Sequence, residues 1–176
     1  ERHALLIGTD KFVDPELSTL LAPVADVEAL SAVLLDPAIC RFASAPVLLN
    51  PGIVELQKAL RTLFNDRAAD DLLLLYYTGH GLRDAHSGTL YLALHETMKA
   101  DPSIGSLESD YVKKRMSKSL AQTQIIVLDC CHAGAFMADG AKGAKGAPSN
   151  FDVGEAFSTG GTGHYIISAC SKSEAA

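Results

Sequence analysis

Asp71-Leu72-Leu73-Leu74-Leu75-Tyr76-Tyr77-Thr78-Gly79-His80-Gly81 is the stretch on which the fold turns. From Leu72 to Tyr77 the residues are all apolar or aromatic, without the alternation of a half-exposed strand. A run of this length, bounded by Asp71 and by Thr78-Gly79, predicts a central strand covered on both faces. It stops at a histidine between two glycines. Ile125 to Leu128 has the same buried character and stops in Asp129-Cys130-Cys131-His132-Ala133-Gly134.

Outward from these runs, strands and helices alternate. His3 to Ile7 reads as a first buried strand. From Val24 to Leu35 the apolar residues Val24, Val27, Leu30, Val33 and Leu34 recur at helical period, and Asp36-Pro37 stops the helix. Pro46 to Leu49 is a short strand. Asn50-Pro51-Gly52 opens a helix over Ile53 to Phe64, with Leu56, Leu60, Leu63 and Phe64 on one face. Arg83 to Ala93, with Ser87-Gly88 in the middle, reads as a small hairpin. Ser109 to Met116 is a helix expected to be capped by Ser109, and His164 to Ala169 is a last strand. Residues 138–150, rich in Ala, Gly and Lys and without periodicity, read as a mobile loop. Strands alternating with helices predict an α/β fold, a three-layer α/β/α sandwich about a mostly parallel sheet. In such sheets ligands bind beyond the carboxyl ends of the strands. The His80 and Cys131 segments both follow central-type strands, and so belong on one rim.

Composition agrees with a single domain over 1–176. The chain is 48% hydrophobic and 20% charged, as ordinary globular chains are. A net charge of −6 argues against a nucleic-acid partner; Lys113, Lys114, Arg115 and Lys118 read as a solvated helix face. No run reaches the roughly eighteen apolar residues of a membrane span. The chain begins at Glu1 without methionine or signal peptide and reads as trimmed. Cys40, Cys130, Cys131 and Cys170 make no disulfide framework, so a reducing, cytoplasmic setting is expected.

A thiol attacks a carbonyl as thiolate, and a nearby imidazole can take its proton and later protonate the leaving amine. Cys131 and His80, 51 positions apart, supply that pair. The amides of Gly81 and Cys131, each just past a strand end, are the candidate oxyanion donors. Gly79 and Gly81 are read as letting the chain turn tightly and leaving room for a substrate. A zinc site from Cys130, Cys131, His132 and His80 is disfavoured, since adjacent cysteines lack the usual ligand gap; no metal ligand is assigned. A nucleotide-binding reading wants GxGxxG after the first strand, where Gly8-Thr9-Asp10 offers a single glycine.

Tyr76-Tyr77-Thr78-Gly79-His80-Gly81 and Asp129-Cys130-Cys131-His132-Ala133-Gly134 together resemble the paired catalytic motifs of the caspase and metacaspase clan. The second is closest to metacaspases and bacterial caspase-like proteins, and the spacing of about 50 residues between histidine and cysteine is itself a caspase signature. The resemblance covers nearly the whole chain, through Ser168-Ala169-Cys170, and matches that family's large subunit. It implies a cysteine endopeptidase acting through a thioester on a protein or peptide substrate, with Cys131 as nucleophile, His80 as acid–base partner and Cys130 packed inward. No third catalytic residue is implied.

The arginine with which caspases select aspartate has no counterpart in Thr19 to Val24, and Asp129 stands where caspases carry glutamine. The metacaspase pattern instead makes Asp26, Asp129 and Thr78 the pocket for an arginine or lysine before the cut bond. Paired carboxylates attract a cation and repel aspartate. Lys142 and Lys145 are then candidate sites of autoprocessing. The resemblance further implies a small subunit, missing here or carried by a separate chain. No cofactor is required for the chemistry; calcium activation occurs among metacaspases, but no Asp-rich ligand loop can be read here. The competing expectation is a catalytically silent scaffold module of the same fold, against which an intact His80 and Cys131 both speak.

Overall fold

A strand apolar on both faces needs helices on both sides of its sheet, and the computed structural model shows that arrangement. It describes residues 1–84, 87, 89–130 and 163–168. Along the chain run β1 (Arg2–Gly8), α1 (Pro23–Leu35), β2 (Val47–Leu49), α2 (Ile53–Phe64), β3 (Leu72–Thr78), β4 (Gly81–Arg83), β5 (Leu90–Leu92), β6 (Leu107–Glu108), α3 (Ser109–Met116), β7 (Thr123–Asp129) and β8 (His164–Ser168). Five strands form one sheet in the order β2-β1-β3-β7-β8, and every pairing in it is parallel. The Leu72–Tyr77 run lies in its central strand.

Alternate residues of β3 enter two cores. Leu73, Leu75 and Tyr77 pack with Leu56, Leu60, Leu63 and Phe64 of α2 and with Val112 and Met116 of α3. Leu74 and Tyr76 join Ala4, Leu6, Val27 and Leu34 on the α1 side. The sandwich therefore has α1 on one face and α2 and α3 on the other. Each fully buried leucine contributes about 1.5–3 kcal/mol to this packing.

Several local expectations are revised. The buried stripe of α1 is Pro23, Val27 and Leu34, with Leu30 half-buried beside it. Val33, expected on that face, is 43% exposed, because it is rotated about 100° from Leu34. Proline at the first helical position starts α1 one residue early, where its missing N–H costs nothing. Ser109 does not cap α3. Pairing of Glu108 with Tyr91 holds Glu108 extended, so Glu108 takes the cap position and Ser109 becomes the first helical residue.

The hairpin forms as β4 against β5, and β6 adds a third antiparallel strand that two residues were too few to announce. On α3, Lys113 pairs with Asp110 at 3.6 Å and Arg115 stacks 5.0 Å from the Tyr111 ring, so that basic face is partly engaged. Among the described residues no helix is long and apolar enough to cross a membrane.

Candidate active site

The parallel register brings the carboxyl ends of the central strands level. Gly8 pairs with Thr78, and Thr78 pairs with Asp129. Beyond them Gly79 N–H still donates to the Asp129 carbonyl at 3.3 Å and Thr9 N–H to the Thr78 carbonyl at 3.0 Å. His80 follows β3 and Cys130 follows β7, so the two quoted segments leave the same rim, as expected. Cys131 itself lies outside the described residues. In sequence it stands as far beyond Asp129 as His80 stands beyond Thr78.

His80 is half-buried and held from two directions. Its Nε2 lies 2.8 Å from the Ser18 carbonyl oxygen and 3.4 Å from Ser18 Oγ. A carbonyl only accepts, so Nε2 carries the hydrogen, and the neutral ring keeps its lone pair on Nδ1. The Phe12 ring packs against the imidazole at 5.0 Å between centroids, tilted by 45°. Behind it, the Tyr77 phenol is shared between the carbonyls of His80, at 2.9 Å, and Ala93, at 2.7 Å. Ala93 N–H closes the link to the His80 carbonyl at 2.9 Å.

Burial pushes the Tyr77 phenol well above its ordinary value, which keeps it a donor. Gly79 is required here by space and not by the backbone angle expected of a tight turn. A Cβ at Gly79 would stand 2.5 Å from the Tyr77 hydroxyl, while Gly105 is the described glycine with positive φ.

Phe12 and Ser18 reach His80 because the loop between β1 and α1 is tied down along its length. Asn50, at φ 50°, accepts the N–H groups of Asp10 and Lys11 at 3.0 and 2.9 Å on its side-chain oxygen. Its amide nitrogen donates to Asp10 Oδ1 at 2.6 Å. His95 Nδ1 donates to the Lys11 carbonyl at 2.9 Å.

The buried Asp14 accepts Lys99 N–H at 2.7 Å and Glu16 N–H at 2.8 Å. These two bonds hold its carboxyl below the ordinary value of 3.8, Lys99 contributing most. A lowered carboxyl stabilises the fold fully above the unfolded value and loses that contribution as pH falls through the folded one. Asp14→Asn is therefore expected to lower the urea midpoint at neutral pH, with the gap to wild type closing below pH 3.8. A gap that does not depend on pH would show that the charge of Asp14 contributes nothing.

On the α1 face, the structure brings the three expected pocket residues to one corner. Thr78 and Asp129 are register partners, and Asp26 lies in the first turn of α1. Between them stands Tyr76, whose hydroxyl donates to Asp129 Oδ2 at 3.3 Å. Its phenol is pushed up to about 12, first by burial, then by Asp129 and Asp26, with the Thr78 hydroxyl opposing. Asp26 is half-buried and Asp129 exposed. Among the described residues neither carboxylate forms an ion pair.

Gly81 opens β4 opposite Leu92. The bond from Ala93 N–H to the His80 carbonyl makes this a non-hydrogen-bonded pair, so the Gly81 amide points away from β5. Cys130 is 6% exposed and belongs to the α2 and α3 core, packed inward as expected. Lys142, Lys145 and the whole 138–150 segment lie outside the described residues. Among the described residues no group of three or more His, Cys, Asp or Glu side chains comes together as metal ligands do.

The family model of the caspase domain matches residues 1–175. The chain belongs to the caspase-domain family, which is a family of cysteine peptidases.

Among solved structures, this caspase domain is similar to the protein GSU0716 of Geobacter sulfurreducens, with TM-score 0.59 and 20% identity over 74% of this chain and 50% of that one. It is also similar to pro-sf-caspase-1, with TM-score 0.55 and 15% identity over 98% of this chain and 61% of the other. The caspase domain thus spans half to about three-fifths of the length of these structures, and at such identities they show the fold alone. No curated protein matches the sequence.

Three contributors to the site were not evident in the sequence: the Ser18 carbonyl and the Phe12 ring at His80, and the Tyr76 hydroxyl at Asp129. A main-chain acceptor leaves no trace in residue type, and Phe12 sits in a loop without periodicity. Tyr76 did carry a signal, since a polar-tipped residue two before Thr78 shares its face.

Proposed function

We propose that this caspase domain is the large-subunit part of a metacaspase-type endopeptidase that cuts after arginine or lysine. Cys131 gives its proton to His80 Nδ1 and attacks the scissile carbonyl carbon, and the carbonyl electron pair moves to oxygen. The amides of Gly81 and Cys131 receive that oxyanion. On collapse the C–N bond breaks and the leaving amine takes the proton from the imidazolium, leaving a thioester. Water, losing a proton to His80, then attacks the thioester and restores the thiol. Ser18, holding Nε2–H, keeps the ring in the tautomer this sequence of transfers needs and stabilises the imidazolium. Asp26 and Asp129, with Thr78 beside them, receive the basic side chain. Autoprocessing at Lys142 or Lys145 and completion of the cleft by a small subunit belong to the same proposal.

The observation that carries this reading is the His80 arrangement: an imidazole at the strand rim, fixed at Nε2 and leaving Nδ1 as the basic nitrogen, beside the strand that runs into Cys130-Cys131. A peptidyl arginyl chloromethylketone is the direct test. It should alkylate one sulfur, assigned by fragment mass spectrometry to Cys131 and not to Cys130. Folded protein that stays unlabelled at Cys131 would instead be the silent scaffold of this fold.

A further inference from the structure

We propose that Tyr76 is the positioning residue of the cation pocket, its hydroxyl fixing one carboxylate oxygen of Asp129 so that the other, together with Asp26, receives the substrate's basic group. This rests on the basic-specific cleft proposed above and names the residue that organises it.

The juxtaposition is a product of the sheet. Tyr76 lies two residues before Thr78 on the same face of β3, and Asp129 stands opposite Thr78 on β7. The phenol therefore spans diagonally to the neighbouring strand and bonds Asp129 Oδ2 at 3.3 Å. Asp26 approaches from α1, near enough for its charge to act on the same phenol. A carboxylate at a strand tip, exposed as Asp129 is, turns freely about its side-chain bonds. Fixing it before the ligand arrives removes an ordering cost from binding.

The phenol is a donor throughout the range in which a peptidase works, because burial and the two acids hold its proton up to about 12. It donates to one carboxylate and feels the charge of a second, and among the described residues neither forms an ion pair, which suits a pocket for a cationic guest. It leaves nothing for an anionic one.

The test is a double-mutant cycle on the full-length protein with Tyr76→Phe, Asp129→Asn and both together. Its substrates are fluorogenic peptides that carry arginine or the neutral, similarly long norleucine before the cut. Tyr76→Phe should raise KM for the arginyl peptide by about three- to tenfold, the worth of one hydrogen bond, with kcat and the norleucine peptide little changed. In the Asp129→Asn background the same change should have no further effect. Full additivity of the two substitutions would overturn the role given to Tyr76 while leaving the cleft in place.

A wild type that does not prefer arginine over norleucine would refute the cleft itself, and a second measurement then decides the matter of Tyr76 without catalysis. In carbon-13 spectra of the tyrosine rings followed through an alkaline titration, the Tyr76 midpoint should be lower in Asp129→Asn than in wild type, while burial and Asp26 still hold it above the ordinary phenol range. A Tyr76 signal indifferent to Asp129 would overturn the proposal whatever the activity.

Discussion

Replacing His80 with alanine is expected to lower kcat for peptide cleavage by about 10³, inside the 10²–10⁴ range of a positioned acid–base group, and to leave KM within a factor of about three. The imidazole is assigned two transfers, from the thiol and to the leaving amine, and neither contributes to holding the substrate. The loss therefore belongs in kcat. Removal of the ring should cost the fold little. It is half-buried, and it gives up one hydrogen bond to Ser18 and one ring contact with Phe12, a loss of about 1 kcal/mol. Thermal melts of wild type and variant separate this from unfolding. Combining His80→Ala with Cys131→Ala should lower activity no further than the more damaging single change, since the two act as one unit. A His80→Ala enzyme that keeps a tenth of wild-type kcat would exclude His80 as the proton carrier.

Asp129→Asn carries the second large effect, of the opposite kinetic kind. For a peptide with arginine before the cut, kcat/KM should fall about a hundredfold. That lies within the 2–5 kcal/mol cost of truncating one partner of a desolvated charge pair, and near its lower end because Asp129 is exposed before substrate arrives. The matching norleucine peptide should be cut almost as well as before. Asp26→Asn should act in the same direction, and the double variant should lose nearly all preference for basic residues. Neither change should destabilise the protein, because among the described residues no ion pair is broken and two like charges beside Tyr76 are relieved. Measuring both peptides with each variant checks the assignment. An equal loss on the arginyl and norleucine peptides would move Asp129 from specificity to structure.

What the sequence made legible was whatever burial and chain order control. Leu72 to Tyr77 has no polar face, so it could only be central, and that alone implied helices on both sides. The carboxyl-end rim followed from alternation of strands and helices, and the α1 corner of Asp26, Thr78 and Asp129 followed from matching motifs. Illegible were features resting on main-chain atoms or on pairing between distant segments. The Ser18 carbonyl that fixes the His80 tautomer is invisible in residue type. The extended conformation of Glu108, which took the cap from Ser109, depends on a strand formed with Tyr91. Val33 counted as apolar in the periodicity, yet lies off the buried stripe by one residue's rotation. The demand for glycine at 79 came from a tyrosine ring beneath it, which no local turn rule contains.

The level alignment of Gly8, Thr78 and Asp129 ties the proposed pocket to the register of the sheet. Were β7 to slide by a single residue along β3, Leu128 would face Thr78, the acid would be driven toward the α2 layer, and Tyr76 would lose its partner. A mispaired molecule of this kind would be poorly packed and blind to basic residues at once. On the proposed specificity, an error of register in the sheet costs packing and selection of the basic side chain together.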